Sequence, residues 1–262
     1  MEVMTKWSLC VASNDATLLH ENLLASPDIG EAAAVIVQKG FSSAAQAYND
    51  ALERVTTDIV VFAHQDVYLP AGWANGFQQA IERLENGDPN WAVAGSYGTS
   101  YKDRDAGLVY CVANRRMMGR VTGELQSVDS LDELLLVIKK SSGLRFDEGL
   151  QGFHFYGTDI CLQARARGLS SYAFEELCIH NAEKTEVLPR AFWKGYFYIR
   201  KKWRRYLPIA TPCICVTANP LDVVRQWLRG WKNYFTPISN SPARVTEPNL
   251  LAANLQGHIP TK

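Results

Sequence analysis

At 262 residues, 47% apolar and 21% charged, the chain has globular composition and enough apolar material for a sizeable core. Lys+Arg and Asp+Glu balance at 27 each, which argues against a surface built throughout to grip nucleic acid, although a local patch fits inside that balance. The six cysteines are scattered, with no CxxC pair and no zinc-type His spacing, and read as small buried hydrophobes in a reducing cytosol. No apolar targeting segment follows Met1 and no run reaches the roughly 18–20 apolar residues of a membrane span. A cytoplasmic protein is expected, with contact at the inner membrane surface left open.

In chain order, residues 7–12 read as a buried strand, and Asp15 is placed to cap a helix through Leu18, Leu19 and Leu23 to about Ala25. Residues 33–37 form a second apolar run. Ala44, Ala47, Tyr48, Ala51, Leu52 and Val55 then fall at helical spacing, with Ser42 or Ser43 as cap. Residues 58–63 are apolar on both faces, as a central parallel strand should be. A helix carrying Trp73, Phe77, Ala80, Ile81 and Leu84 follows, then a strand over 91–95. This βαβαβαβ order predicts an α/β fold, a mostly parallel sheet flanked by helices. Loops and hairpin strands are expected over 97–128, a buried strand or the inner turn of a helix over 134–138 with length favouring the strand, a helix over 159–167, and edge strands over 172–174 and 177–179.

Ligands of parallel α/β sheets bind beyond the carboxyl ends of the strands. His64-Gln65-Asp66 arrives there from the most apolar strand, and a carboxylate in that position suits Mg²⁺ or Mn²⁺; the plainer role for Asp66 is a cap on the following helix. The run 43–52, the strand 58–63, His64-Gln65-Asp66 and the trailing Pro70 and Trp73 together resemble the family 2-type glycosyltransferases of the GT-A fold. The likeness is to the glycosyltransferase-like subgroup also met in surface-polysaccharide pathways, and it spans roughly residues 7–185. It implies a GT-A-like domain over 1–185 and a basic, aromatic helical appendage and tail over 186–262. It also implies sugar transfer from a nucleoside diphosphate donor, UDP-sugar first among them, to a saccharide or other hydroxyl acceptor, with inversion.

On this resemblance Gly157-Thr158-Asp159 opens the segment whose Asp is the base, so Asp159 is the expected catalytic residue; a helix cap is its plainer role. Asp66, His180 and His64 are the expected metal ligands, with Mn²⁺ favoured over Mg²⁺ by imidazole. Ala12, Ser13, Asn14, Gln38, Asn49, His64, Gln65 and Asp66 are expected around the donor. Phe153, His154 and Tyr156 offer an aromatic wall to an acceptor sugar, though packing residues would look the same. Three departures stand out: His64 replaces the first Asp of D-x-D, Thr158 the usual Glu, and Gln38 an Asp. They keep a catalytically inactive nucleotide-sugar-binding module in view; a nucleotidyltransferase is the remaining alternative.

From Arg190 through Tyr206 there are seven Lys/Arg, seven aromatics and no acid. That stretch suits the donor's charge, an anionic membrane surface or single-stranded nucleic acid, the last disfavoured by the rest of the chain; an amphipathic helix with a snorkelling basic face is the plainer reading. An amphipathic helix over 223–235 is expected to serve a homodimer or a membrane face, and an extended or frayed arm should follow Pro237.

Overall fold

The computed structural model describes residues 5–101, 105–183, 188–235 and 243–257. Strand β1 (Trp7–Ala12) leads into α1 (Ala16–Glu21), β2 (Ala34–Gln38), α2 (Ala44–Arg54), β3 (Ile59–His64), β4 (Val67–Tyr68), α3 (Trp73–Gly87) and β5 (Trp91–Gly95). The middle holds β6 (Tyr97–Thr99), β7 (Ala106–Cys111), β8 (Arg116–Arg120), β9 (Gln126–Ser127), β10 (Ser130–Leu131) and β11 (Leu135–Lys139). The chain ends with α4 (Tyr156–Ala166), β12 (Ser170–Ala173), β13 (Cys178–His180), α5 (Arg190–Lys202), α6 (Pro220–Phe235) and α7 (Pro248–Gln256).

The main sheet has the order β2-β1-β3-β11-β5-β12-β9. β1 pairs in parallel with β2 and β3, and β12 with β5, while β11 runs antiparallel to both β3 and β5. Five strands therefore share one direction and β11 and β9 oppose it, the GT-A-like mixed sheet with helices on both faces. A smaller sheet, β10-β6-β7-β13-β4 with β8 beside β7, stands next to it. The strands expected at edges lie inside: β12 sits between β5 and β9, and β13 between β7 and β4.

Each central strand feeds two cores by simple alternation. Cys10, Val60, Phe62, Leu136 and Ile138 pack toward α2, α4 and α5, whereas Leu9, Val11, Val61, Ala63, Leu135 and Val137 pack toward α1 and α3. Asp15 and Ser43 cap α1 and α2, their side chains accepting from the amides of Leu18 and Gln46. Asp66 caps nothing, because α3 starts from Gly72 in the left-handed region.

The C-terminal helical appendage does not pack on itself alone. Phe192, Tyr196, Ile199 and Trp203 of the α5 region, with Ile209 and Val216 beyond it, belong to the same core as α2 and α4. Nor is the tail simply extended: α7 lays Ala252 against Tyr68, Val112 and Ile179. The side chains of Trp231, Tyr234 and Phe235, expected on the apolar face of α6, lie outside the described residues. Four cysteines are buried as expected, and burial pushes Cys10, Cys161 and Cys178 up to about 12; Cys213 and Cys215 are exposed instead.

Candidate metal and nucleotide site

β3 ends at His64, and the backbone then turns into β4, so His64, Gln65 and Asp66 emerge at the carboxyl edge of the main sheet. β13 pairs antiparallel with β4, placing His180 opposite Val67, and the Asn181 amide donates to the Asp66 carbonyl at 2.8 Å. Sheet pairing thus closes a separation of more than a hundred residues. His180 Nε2 lies 3.6 Å from Asp66 Oδ1, and the rings of His64 and His180 meet edge to face at 6.0 Å. One ligating atom from each of His64, Asp66 and His180 falls within 4.8 Å of the others.

The surroundings prepare His64 as a ligand and bear differently on His180. Tyr156 Oη donates to the Glu133 carbonyl at 3.0 Å, so at its 3.0 Å contact with His64 Nε2 it accepts. The His64 proton is thereby fixed on Nε2 and Nδ1 keeps its lone pair, as a metal-ligating imidazole requires. Burial holds the His64 imidazole below its ordinary value, with Asp66 opposing. Burial acts the same way on His180, but the Cys111 thiol, Asp66 and Asp132 outweigh it and lift that ring to about 9. Cys111 lies beside His180 in the parallel register of β7 and β13.

Sequence reasoning passed over an acidic pair that lies at the same edge. Because β11 runs antiparallel to β3, its first residues meet the last residues of β3, and the His64 amide donates to the Leu134 carbonyl at 2.9 Å. Asp132 and Glu133, just before that point, arrive at the same edge. Asp132 bears electrostatically on both His64 and His180. Burial and then Asp132 push Glu133 up to about 8, although the amides of Gly157 and Phe155 face its carboxylate. A signal was present, two adjacent acids before an apolar run, but it acquires meaning only from the strand's direction.

The expected donor residues divide. Gln65 Oε1 accepts from Ser13 Oγ and from the amides of Asn14 and Asp15, and Gln65 Nε2 donates to Asn14 Oδ1 at 2.7 Å. The turn after β1, beginning beyond Ala12, is thereby clamped to the tripeptide. Gln38 instead faces inward, donating to the Ala47 carbonyl and Asp50. Asn49 is likewise a tie, exchanging hydrogen bonds with the backbone of Phe146. Of the aromatic trio, Phe153 is exposed, His154 packs its ring on Phe192, and Tyr156 is buried as the partner of His64.

Asp159, expected as the base, is placed differently. It is buried on the first turn of α4, where Phe155 rather than Asp159 is the cap. Its carboxylate accepts from Lys202 Nζ at 2.7 Å, Trp203 Nε1 at 2.6 Å and Gln163 Nε2 at 2.8 Å. A carboxylate enclosed by three donors anchors the end of α5 and has no free face for an acceptor hydroxyl. Lys202 also reaches Asp147 Oδ2 at 2.6 Å, which Tyr198 shares.

Fold and site together define an α/β protein with a His-Asp-His cluster at the strand ends, a group that could hold a metal ion. The model of the glycosyltransferase-like family matches residues 10–188, and the chain belongs to that family. A protein of Fuscovulum blasticum described as "ATP synthase subunits region ORF 6" is 30% identical over 164 residues, 60% of this chain and 64% of its own length. Among solved structures, the mannosyltransferase PcManGT from Pyrobaculum calidifontis, in complex with GDP-Man and Mn²⁺, is similar at a TM-score of 0.48. It is 13% identical, with all of this chain and 77% of that one covered. A197 from STIV gives a TM-score of 0.42 at 15% identity, covering 65% of this chain and 82% of its own. TarS of S. aureus gives 0.40 at 13% identity, covering 75% and 39%.

Proposed function

We propose that this chain transfers a sugar from a nucleoside diphosphate donor to a hydroxyl acceptor, with inversion and with a divalent ion. The observation that carries the reading is the meeting of His64, Asp66 and His180 with the Asp132–Glu133 pair at one sheet edge in a glycosyltransferase-like chain. The three ligands fit such an ion: one carboxylate oxygen and two imidazole nitrogens suit Mn²⁺ better than Mg²⁺. Bound there, the ion would supply charge neutralisation for the leaving diphosphate. Gln65 holds the turn at Ser13 and Asn14 against the nucleotide.

Glu133 takes the base role in this reading, in place of the enclosed Asp159. The acceptor oxygen bonds to the anomeric carbon, the bond from that carbon to the diphosphate breaks, and the hydroxyl proton passes to the Glu133 carboxylate. A carboxyl held near 8 matches its proton affinity to neutral conditions, as general bases require. Calorimetry with UDP and Mn²⁺ tests the donor site: binding should depend on the ion and be lost in Asp66→Asn. Absence of any nucleoside diphosphate binding overturns the reading. Glu133→Gln should keep donor binding and lose transfer. If it transfers normally while a folded Asp159→Asn does not, the base is Asp159. Donor binding without transfer to any acceptor would mark a binding module instead.

A further inference from the structure

Between Leu188 and Pro237 the sequence holds ten Lys/Arg and a single acid, Asp222, leaving 17 basic against 26 acidic residues in the rest of the chain. The neutral total therefore conceals two oppositely charged parts. α6 lies in the basic part, and Leu221, Val224 and Leu228 on it are 66%, 52% and 50% exposed. Their spacing of three and four residues makes one continuous apolar stripe. Beside it Arg225 extends into solvent, its side chain 71% exposed despite a contact with Asp222.

The same helix also borders a cavity. Asp222, Arg225 and Gln226 line a cavity of about 680 Å³ together with Tyr97, Thr99 and Cys213. The Asp132 amide donates to the carbonyl of Tyr97, a residue lining this cavity, at 2.9 Å, so the cavity adjoins the carboxylate pair of the site. α6 thus stands with one side on a cavity next to the site and an aliphatic stripe facing out.

We propose that α6 lies in the headgroup layer of an anionic bilayer, its Leu221–Val224–Leu228 stripe inserted and the basic extension held by the surface charge. An interfacial helix needs this combination of an apolar stripe and a cationic flank. No helix among the described residues is long and apolar enough to cross a membrane, so the helix lies on the surface. A second copy on this face would bring two net-basic extensions together across a symmetric interface. Nucleic acid would match the charge but has no use for an aliphatic stripe. Docked in this way, α6 holds the cavity within about one helix diameter, ~10–12 Å, of the headgroups.

Flotation of the full chain with phosphatidylcholine vesicles, with and without phosphatidylglycerol, tests the proposal in the absence of any sugar donor. Its failure is therefore separable from failure of the transferase reading. The protein should float with anionic vesicles, float with neutral ones at least about tenfold less, and lose binding as salt rises. The triple variant Leu221→Glu, Val224→Glu, Leu228→Glu should abolish flotation while UDP and Mn²⁺ binding stays unchanged; Leu228→Gln alone should weaken it. No flotation of the native chain on anionic vesicles at low salt overturns the proposal. So does a dimer in sedimentation that the triple variant dissolves, or flotation that the triple variant retains.

Discussion

The residue with the widest consequences is Tyr156. Its hydroxyl connects the backbone of Glu133 to the ring of His64 and fixes which nitrogen of that ring is free. Removing the hydroxyl leaves His64 free to rotate and to exchange tautomers. Tyr156→Phe should therefore weaken Mn²⁺ affinity by about 10–100-fold, the usual cost of losing an outer partner, with little change in the circular dichroism spectrum. Calorimetric titration checks it. Glu133 gives a second prediction at this scale. Its folded pKa, about 8, lies above the ordinary carboxyl value, so across that interval the folded chain holds a proton that the unfolded chain releases. Stability should fall as pH rises from about 4.5 to about 8 through this group. Urea midpoints across that range should show the decline, and Glu133→Gln should flatten it.

Among elements, α4 positions Tyr156 by an unusually close approach. Phe155 enters it with a positive φ of 65°, and a Cβ on Gly157 would stand 2.5 Å from the Leu131 carbonyl. Only glycine lets the first turn of the helix lie against the segment that carries Asp132 and Glu133. Gly157→Ala should cost roughly 1–3 kcal/mol and reduce donor binding as well, since Tyr156 must retreat with the helix. Thermal denaturation and calorimetry on the same variant measure both effects. β11 matters equally at this scale. The length of the apolar run from Leu134 to Ile138 favoured a strand over a helical turn, but it says nothing of direction, and direction is what delivers the acidic pair to the sheet edge.

At the scale of the whole molecule, the basic extension is tied into the domain through a buried ion pair. Lys202 joins Asp159 and Asp147, and Trp203 closes over the first of these. Lys202→Met should destabilise the protein by about 3 kcal/mol, because it leaves the Asp159 charge buried and unmatched; partial exposure of Lys202 keeps the figure at the lower end. Chemical denaturation should show one cooperative transition shifted for the entire chain. A separate early transition would mean that the extension folds apart from the core it shares with α2 and α4.

The sequence by itself determined the alternation of strands and helices through residue 95, the cap at Asp15, and the arrival of His64, Gln65 and Asp66 at a strand end, and it narrowed the next cap to Ser42 or Ser43. Those features follow from local periodicity and backbone chemistry, which neighbouring residues carry in full. Tertiary structure decided the rest. The pairing of β13 with β4 put His180 beside Asp66, and the reversal of β11 brought in Asp132 and Glu133. Packing of α5 surrounded the carboxylate of Asp159, the expected base, with three donors. Each outcome depends on strand order, direction or helix docking between distant segments. A periodic pattern records which face of an element is apolar, not which other element will cover it.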